Sequence, residues 1–223
     1  MNNNTSIYFL ISDYDQCSKK HNLSKLNEEH RELLNFNLLN NAIEQVHFVE
    51  HVKKYILSPK ENDTIKDNNY AFIYCNNEKS AFEKIIEMQP EENEKYIFIH
   101  SNVIGFSQQD IKKINDLLHY DGKAIVIGKT KDNRICFIGT NFLDNILLNH
   151  IVACNNNYDK LLGKIKRKTV HFFVLNNFLK IESLKDFKEL YSVLSDKKSE
   201  NFCTGGIHES FTNLFIEYKD LLQ

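Results

Sequence analysis

What most constrains this chain is an alternation of two patterns. Short apolar runs rich in Ile, Val, Phe and Tyr recur along it, and longer segments with apolar residues at helical spacing lie between most of them. SIYFLISD (6–13), KYILSP (54–59), YAFIYC (70–75), YIFIH (96–100), KAIVIG (123–128) and RICFIG (134–139) read as strands, and TVHFFVL (169–175) as a further one. The spacing predicts helices over 24–53, 78–88, 108–119, 141–150, 157–164, 183–194 and 207–222. In the first of these, Leu26, Leu33, Leu34, Leu38, Leu39, Ile43 and Val46 recur on one side; Ser24 suits its cap and Glu28 and Glu29 its positive end. Strands alternating with helices of this length give an α/β sheet with helices on both faces. The tight pair IVIGKTKDNRICFIG makes that sheet mixed and mostly parallel.

The 223 residues suffice for one sizeable core, and neither a Gly/Ser linker nor an internal repeat divides them, so residues 1–223 are expected to form a single domain. A net charge of -2 supplies no general basic field for nucleic acid. No apolar run reaches the length of a membrane span. The start MNNNTSIYFLISDYD lacks the basic region and cleavage site of a signal peptide, which points to the cytoplasm. Five cysteines without C-x-x-C spacing read as reduced thiols, and Cys75 and Cys136 lie inside apolar runs as core filler.

Chemistry in open α/β folds sits outside the carboxyl ends of the strands. Here YIFIHSNVIGFS (96–107) runs from a buried strand into a polar loop carrying His100, Ser101, Asn102 and Gly105. A second candidate turn, GKTKDNRICFIG (128–139), carries Asp132. Asp13 and Asp15 follow the first strand. HFVEH (47–51) has the H-x-x-E-H letters of inverted zinc proteases, with His47 and His51 on one face if the segment is helical. No third ligand accompanies it, so zinc is not expected there. There is no P-loop, nucleophile elbow or G-x-G-x-x-G.

These two stretches resemble the paired signatures of a bacterial family of uncharacterised glycosyltransferase-like proteins, the selenodomain-associated transferase type. That family reads G-x-D-x-P-G-L-S at a strand end and G-P-x-x-D-G-G-Y-x-L-x-G further on. His100 stands at the first glycine, Asn102 at the aspartate and Ile104 at the proline, while Gly105 and Ser107 agree. In the second stretch Gly128, Asp132 and Gly139 agree, Lys129 replaces the proline, and Asn133 and Arg134 replace the glycine pair. LKIESLKDF (179–187) is similar to the family's D-x-D-T-x-x-D-L: Lys180 replaces the first acid, Glu182 the second, and Asp186 agrees. The family's basic loop after the first strand is absent.

The resemblance implies a glycosyltransferase A type fold of the nucleotide-diphospho-sugar transferase superfamily. It also implies a nucleotide or nucleotide-sugar as ligand, and glycosyl transfer to an unidentified acceptor. Asp132 is then the catalytic candidate, and Asp13, Asn102, Gly105, Lys180 and Glu182 line the substrate site. Such an enzyme neutralises its departing diphosphate with a divalent ion, so Mg²⁺ or Mn²⁺ would be held by Asn102 and Glu182, weakly or not at all, because a neutral amide replaces an acid. Lys180 is either a substitute for the metal, a sign of lost chemistry, or a surface lysine. Asp132 is equally a turn residue bonded to local backbone, and Glu182 a helix-start acid. Gly105, Gly128 and Gly139 serve backbone conformation or close packing. Two rival functions stand beside this one: a non-catalytic descendant used as an interaction module, and a nucleotidyltransferase. The latter lacks its Gly-rich basic first loop here.

Overall fold

Among the described residues seven strands make the central sheet: β1 (Thr5–Leu10), β2 (Val52–Ser58), β3 (Ala71–Tyr74), β4 (Lys95–His100), β6 (Ala124–Lys129), β7 (Ile135–Thr140) and β8 (His171–Asn176). The computed structural model describes residues 5–11, 23–47, 49–59, 69–88, 94–165, 169–176 and 178–222. The strand order is β3-β2-β1-β4-β7-β6-β8. Neighbours are parallel except where β7 lies antiparallel between β4 and β6. The β6–β7 hairpin is the tight pair read from the sequence, so the sheet is mixed and mostly parallel.

Side chains alternate across this sheet as the period of two requires. Ile7, Phe9, Ile97, Ile99 and Val126 point to one face, where they meet α1 (Glu28–His47) and α3 (Gln108–Leu117). Tyr8, Leu10, Phe98, Ile125 and Ile127 point to the other, against α2 (Glu78–Glu87), α4 (Asn145–Cys154) and α5 (Tyr158–Ile165). Both faces are therefore buried, which explains why the strands read as continuous apolar runs. A third apolar cluster packs the outer side of α1 through Leu34 and Leu38 against α6 (Leu184–Leu194) and α7 (Gly205–Glu217).

Several element ends differ from the sequence reading for identifiable reasons. The first helix starts after Asn27, not Ser24, because Asn27 Oδ1 accepts from His30 N at 2.7 Å. Its far end is His47, so 52–53 belong to β2. The last helical stretch breaks at Tyr218 before a short α8 (Lys219–Leu222); the Tyr218 hydroxyl accepts from Asn27 N at 3.0 Å. A two-residue ladder that no periodicity announces joins β5 (Val103–Ile104) to β9 (Leu179–Lys180), antiparallel. That small ladder brings residues 179–186 beside the end of β4.

Candidate functional site

At the carboxyl end of β4 the chain turns through Ser101 and Asn102 into β5. His100 is buried. Burial pushes its imidazole well below the usual 6.5, and the Lys180 charge pushes it further down; a hydrogen bond with Asn156 acts the other way. His100 is therefore neutral at neutral pH. Asn102 is 8% exposed and pairs twice with Ile181. Ile181 N donates to Asn102 O at 2.9 Å, and Asn102 Nδ2 donates to Ile181 O at 3.1 Å. Its Oδ1 is buried without a partner among the described residues. The Asn102 amide is thus used to hold β9 in place. Gly105 follows at φ +98°, a left-handed backbone that glycine adopts without strain. At Gly128 a Cβ would lie 2.0 Å from the Phe137 ring, so close packing fixes that glycine.

The β6–β7 turn carries the second candidate. The Thr130 hydroxyl donates to Asp132 Oδ1, and Arg134 N donates to Thr130 Oγ1 at 3.0 Å. Asn133 takes φ +65°, a conformation asparagine tolerates, and Lys129 Nζ donates to its Oδ1 at 2.6 Å. The turn is held mostly by its own side chains, and it aims Arg134 inward.

Arg134 is the hub of the site. Its Nε donates to Asp132 Oδ1 at 3.1 Å. Its Nη1 donates to Lys180 O at 3.1 Å, Glu182 Oε2 at 3.3 Å and Asp186 Oδ2 at 3.0 Å. Its Nη2 donates to Asp186 Oδ1 at 2.8 Å, which makes the pair with Asp186 bidentate. Burial by itself lowers the guanidinium's proton affinity, but Asp186 and Asp132 raise it above its ordinary value. Asp186 is 4% exposed. Burial raises its carboxyl, yet bonds from Arg134, Glu182 N and the Ser183 hydroxyl bring it below the usual carboxylate range. Asp132 behaves likewise: burial raises it, and Thr130 and Arg134 lower it further.

Lys180, a substrate-site candidate, is 1% exposed. Its ammonium donates to Ile135 O at 3.0 Å and lies 3.4 Å from Glu182 Oε1. It is a buried strut between β7 and β9. Beside it, burial pushes the Cys136 thiol up to about 12, although Lys180 and Arg134 pull the other way. Three carboxylates, Asp132, Glu182 and Asp186, thus meet two cations, Arg134 and Lys180.

Asn102, Asp132, Lys180 and Glu182 all gather at the carboxyl end of the sheet, linked through Ile181 and Arg134. Asp13 lies outside the described residues. Sequence reading missed Arg134 as the centre and the buried role of Asp186. The available signal was the arginine at a glycine position of the second motif. A divalent ion does not fit this donor set as it stands. Its candidate carboxylates already surround a guanidinium, and Asn102 Oδ1 is sealed off from solvent. Among the described residues no group of three or more His, Cys, Asp or Glu side chains is arranged to hold a metal.

The H-x-x-E-H letters do not share a helix face. The helix ends at His47, His51 takes φ +58°, and β2 begins at Val52. The His51 and Glu50 side chains are 87% and 86% exposed and 3.9 Å apart.

No protein-family model matches this chain, and neither does any curated protein. Solved structures do. A nucleotide-diphospho-sugar transferase-like protein from Desulfovibrio desulfuricans G20 is 12% identical with a TM-score of 0.70, covering 98% of this chain and 99% of that one. The 4-diphosphocytidyl-2C-methyl-D-erythritol synthase of Anaerococcus prevotii is 13% identical with a TM-score of 0.58, covering 87% and 97%. A cytidylyltransferase from Leptospira borgpetersenii is 12% identical with a TM-score of 0.55, covering 100% and 98%. The chain therefore has the fold of nucleotide-diphospho-sugar transferase-like and cytidylyltransferase proteins: one α/β domain with a mostly parallel mixed sheet between helices. Among the described residues no helix is long and apolar enough to cross a membrane.

Proposed function

We propose that this chain binds a nucleotide or nucleotide-sugar outside the carboxyl ends of its strands, as a divergent glycosyltransferase-like protein of the selenodomain-associated transferase type. The observation that carries this reading is the convergence of Asn102, Asp132 and Glu182 at one sheet end, in a fold shared with a nucleotide-diphospho-sugar transferase-like protein. Ligands in open α/β sheets bind at that end. Asp132 is the most exposed acid of the cluster, which supports the reading that it meets a sugar or ribose hydroxyl. The cytidylyltransferase neighbours keep nucleotidyl transfer as an alternative chemistry on the same surface. A second reading, a non-catalytic descendant serving as an interaction module, is favoured by one specific feature: the acids are neutralised internally by Arg134 and Lys180.

A thermal-shift panel of UDP, GDP, CDP and their sugar conjugates, with and without Mn²⁺ or Mg²⁺, separates these readings. A ligand at about 100 times its dissociation constant adds roughly 2.7 kcal/mol to stability. A shift for one base across its diphosphate and sugar conjugate supports the nucleotide-sugar reading. No shift with any member leaves the interaction module as the function.

A further inference from the structure

The Nη1 atom of Arg134 sits among three oxygens: the Lys180 carbonyl at 3.1 Å, Glu182 Oε2 at 3.3 Å and Asp186 Oδ2 at 3.0 Å. Two are carboxylate oxygens and one is a backbone carbonyl. That is the ligand chemistry a hard divalent cation prefers. The residue whose side chain fills this cage stands where the resembling family has a glycine, which has no side chain to do so. From these positions we infer that Arg134 is a resident cation, a guanidinium built into the chain in place of a divalent ion.

Three features make the substitution self-consistent. The guanidinium is planar, permanently charged and bidentate, so it satisfies Asp186 with two parallel bonds that a spherical ion supplies in another form. Lys180 Nζ, 3.4 Å from Glu182 Oε1, holds one oxygen of that carboxylate while the other, Oε2, meets Arg134. Asp186 also accepts from Glu182 N at 3.0 Å and from the Ser183 hydroxyl at 2.9 Å. Asp186 is thus anchored to the start of α6 by bonds that do not involve Arg134.

The inference does not depend on the nucleotide reading, since its test contains no nucleotide. Mn²⁺ is titrated calorimetrically into the native chain, Arg134→Ala, and Arg134→Ala combined with Glu182→Gln. The native chain should take up no stoichiometric Mn²⁺. Arg134→Ala should bind about one ion, at least about tenfold tighter than the native chain, and the double variant should lose that gain. Mn²⁺ at about 100 times its dissociation constant should then raise the melting temperature of Arg134→Ala by about 5–10 °C. If Arg134→Ala does not fold alone, it is refolded with Mn²⁺ or with millimolar guanidinium ion. Recovery of a cooperative transition with either cation supports the inference. Three results overturn it: stoichiometric Mn²⁺ binding by the native chain, a folded Arg134→Ala that ignores Mn²⁺, and an unfolded Arg134→Ala that neither cation restores.

Discussion

The two ends of the sheet treat their acids in opposite ways. At the amino end Glu94, buried, accepts from the Ser6 hydroxyl and from the Tyr96 hydroxyl at 2.9 Å, and Lys53 stands 3.8 Å away. Neutral donors on β1 and β4, adjacent strands, do much of the work, and Glu94 itself immediately precedes β4. Nearby, Lys95 Nζ meets His119 Nε2 at 2.5 Å, and burial leaves that ammonium below its usual proton affinity although the Asp116 charge acts the other way. At the carboxyl end Asp132, Glu182 and Asp186 are held by Arg134 and Lys180, cations on β9 and next to β7. The first arrangement ties neighbours already joined by the sheet. The second ties the β6–β7 turn to β9 and the start of α6, far apart in sequence, and depends on full charges to do so. Losing a partner should therefore cost much more at the carboxyl end.

Asp186→Ala tests this difference at its largest. It leaves the half-buried Arg134 short of its bidentate partner and removes the acceptor for Glu182 N and the Ser183 hydroxyl. Breaking a buried pair costs about 3–5 kcal/mol, and the remaining contact with Asp132 and partial solvent access put this case near about 3 kcal/mol. For a chain of this size that lowers the melting temperature by about 6–12 °C. Glu94→Gln keeps an acceptor for one of the two hydroxyls and should cost only about 1 kcal/mol. Urea or thermal melts of the two variants side by side measure the contrast. Equal losses would mean that the amino-end network carries as much as the carboxyl-end one.

His100 sharpens the same comparison through pH. Its folded proton affinity lies well below the unfolded value of 6.5, through burial and then the Lys180 charge. The unfolded chain therefore binds more protons than the folded one below pH 6.5. The stability owed to a neutral His100 is present above pH 6.5 and is lost as pH falls below it, at up to about 1.4 kcal/mol per pH unit. His100→Gln should flatten this part of the pH profile, read as the urea midpoint at pH 7.5, 6.5 and 5.5. A variant profile as steep as the native one would assign the pH dependence to other groups.

Most of the sheet was legible because both of its faces are buried, so β1, β4, β6 and β7 show as unbroken apolar runs such as IYFL and IVIG. The antiparallel β7 was legible from its short turn. The β5–β9 ladder was not, because two-residue strands have no periodicity and are fixed by the Asn102–Ile181 pairing across the chain. At the site, the resemblance drew attention to Asn102, Asp132, Lys180 and Glu182, and all four gather at one sheet end. Their roles were not legible. Whether Lys180 faces solvent or Ile135 O depends on the register of β9, and whether Asp186 is a solvated helix-start acid depends on where Arg134 points. Letters at motif positions carry residue type, while burial and partner come from elements distant in sequence.

The smallest expected effect belongs to the most suggestive motif letters, at the amino end. His47 closes α1, whereas Glu50 and His51 lie in the connection to β2, so His47 and His51 do not form the i, i+4 pair on one helix face that an inverted zinc protease uses. His51 holds φ +58°, which turns the chain sharply there, and its ring is almost fully exposed beside Glu50. An exposed pair of this kind contributes little to stability in water. Replacing His51 by Asn keeps a residue that tolerates the left-handed backbone and should change stability by no more than about 0.5 kcal/mol. Elemental analysis of protein purified without a histidine tag should likewise find no stoichiometric zinc, in the native chain or in His51→Asn. Zinc near one equivalent that disappears in His51→Asn would show that the connection between α1 and β2 rearranges around a metal. The amino end would then join the carboxyl end as a site organised by cations.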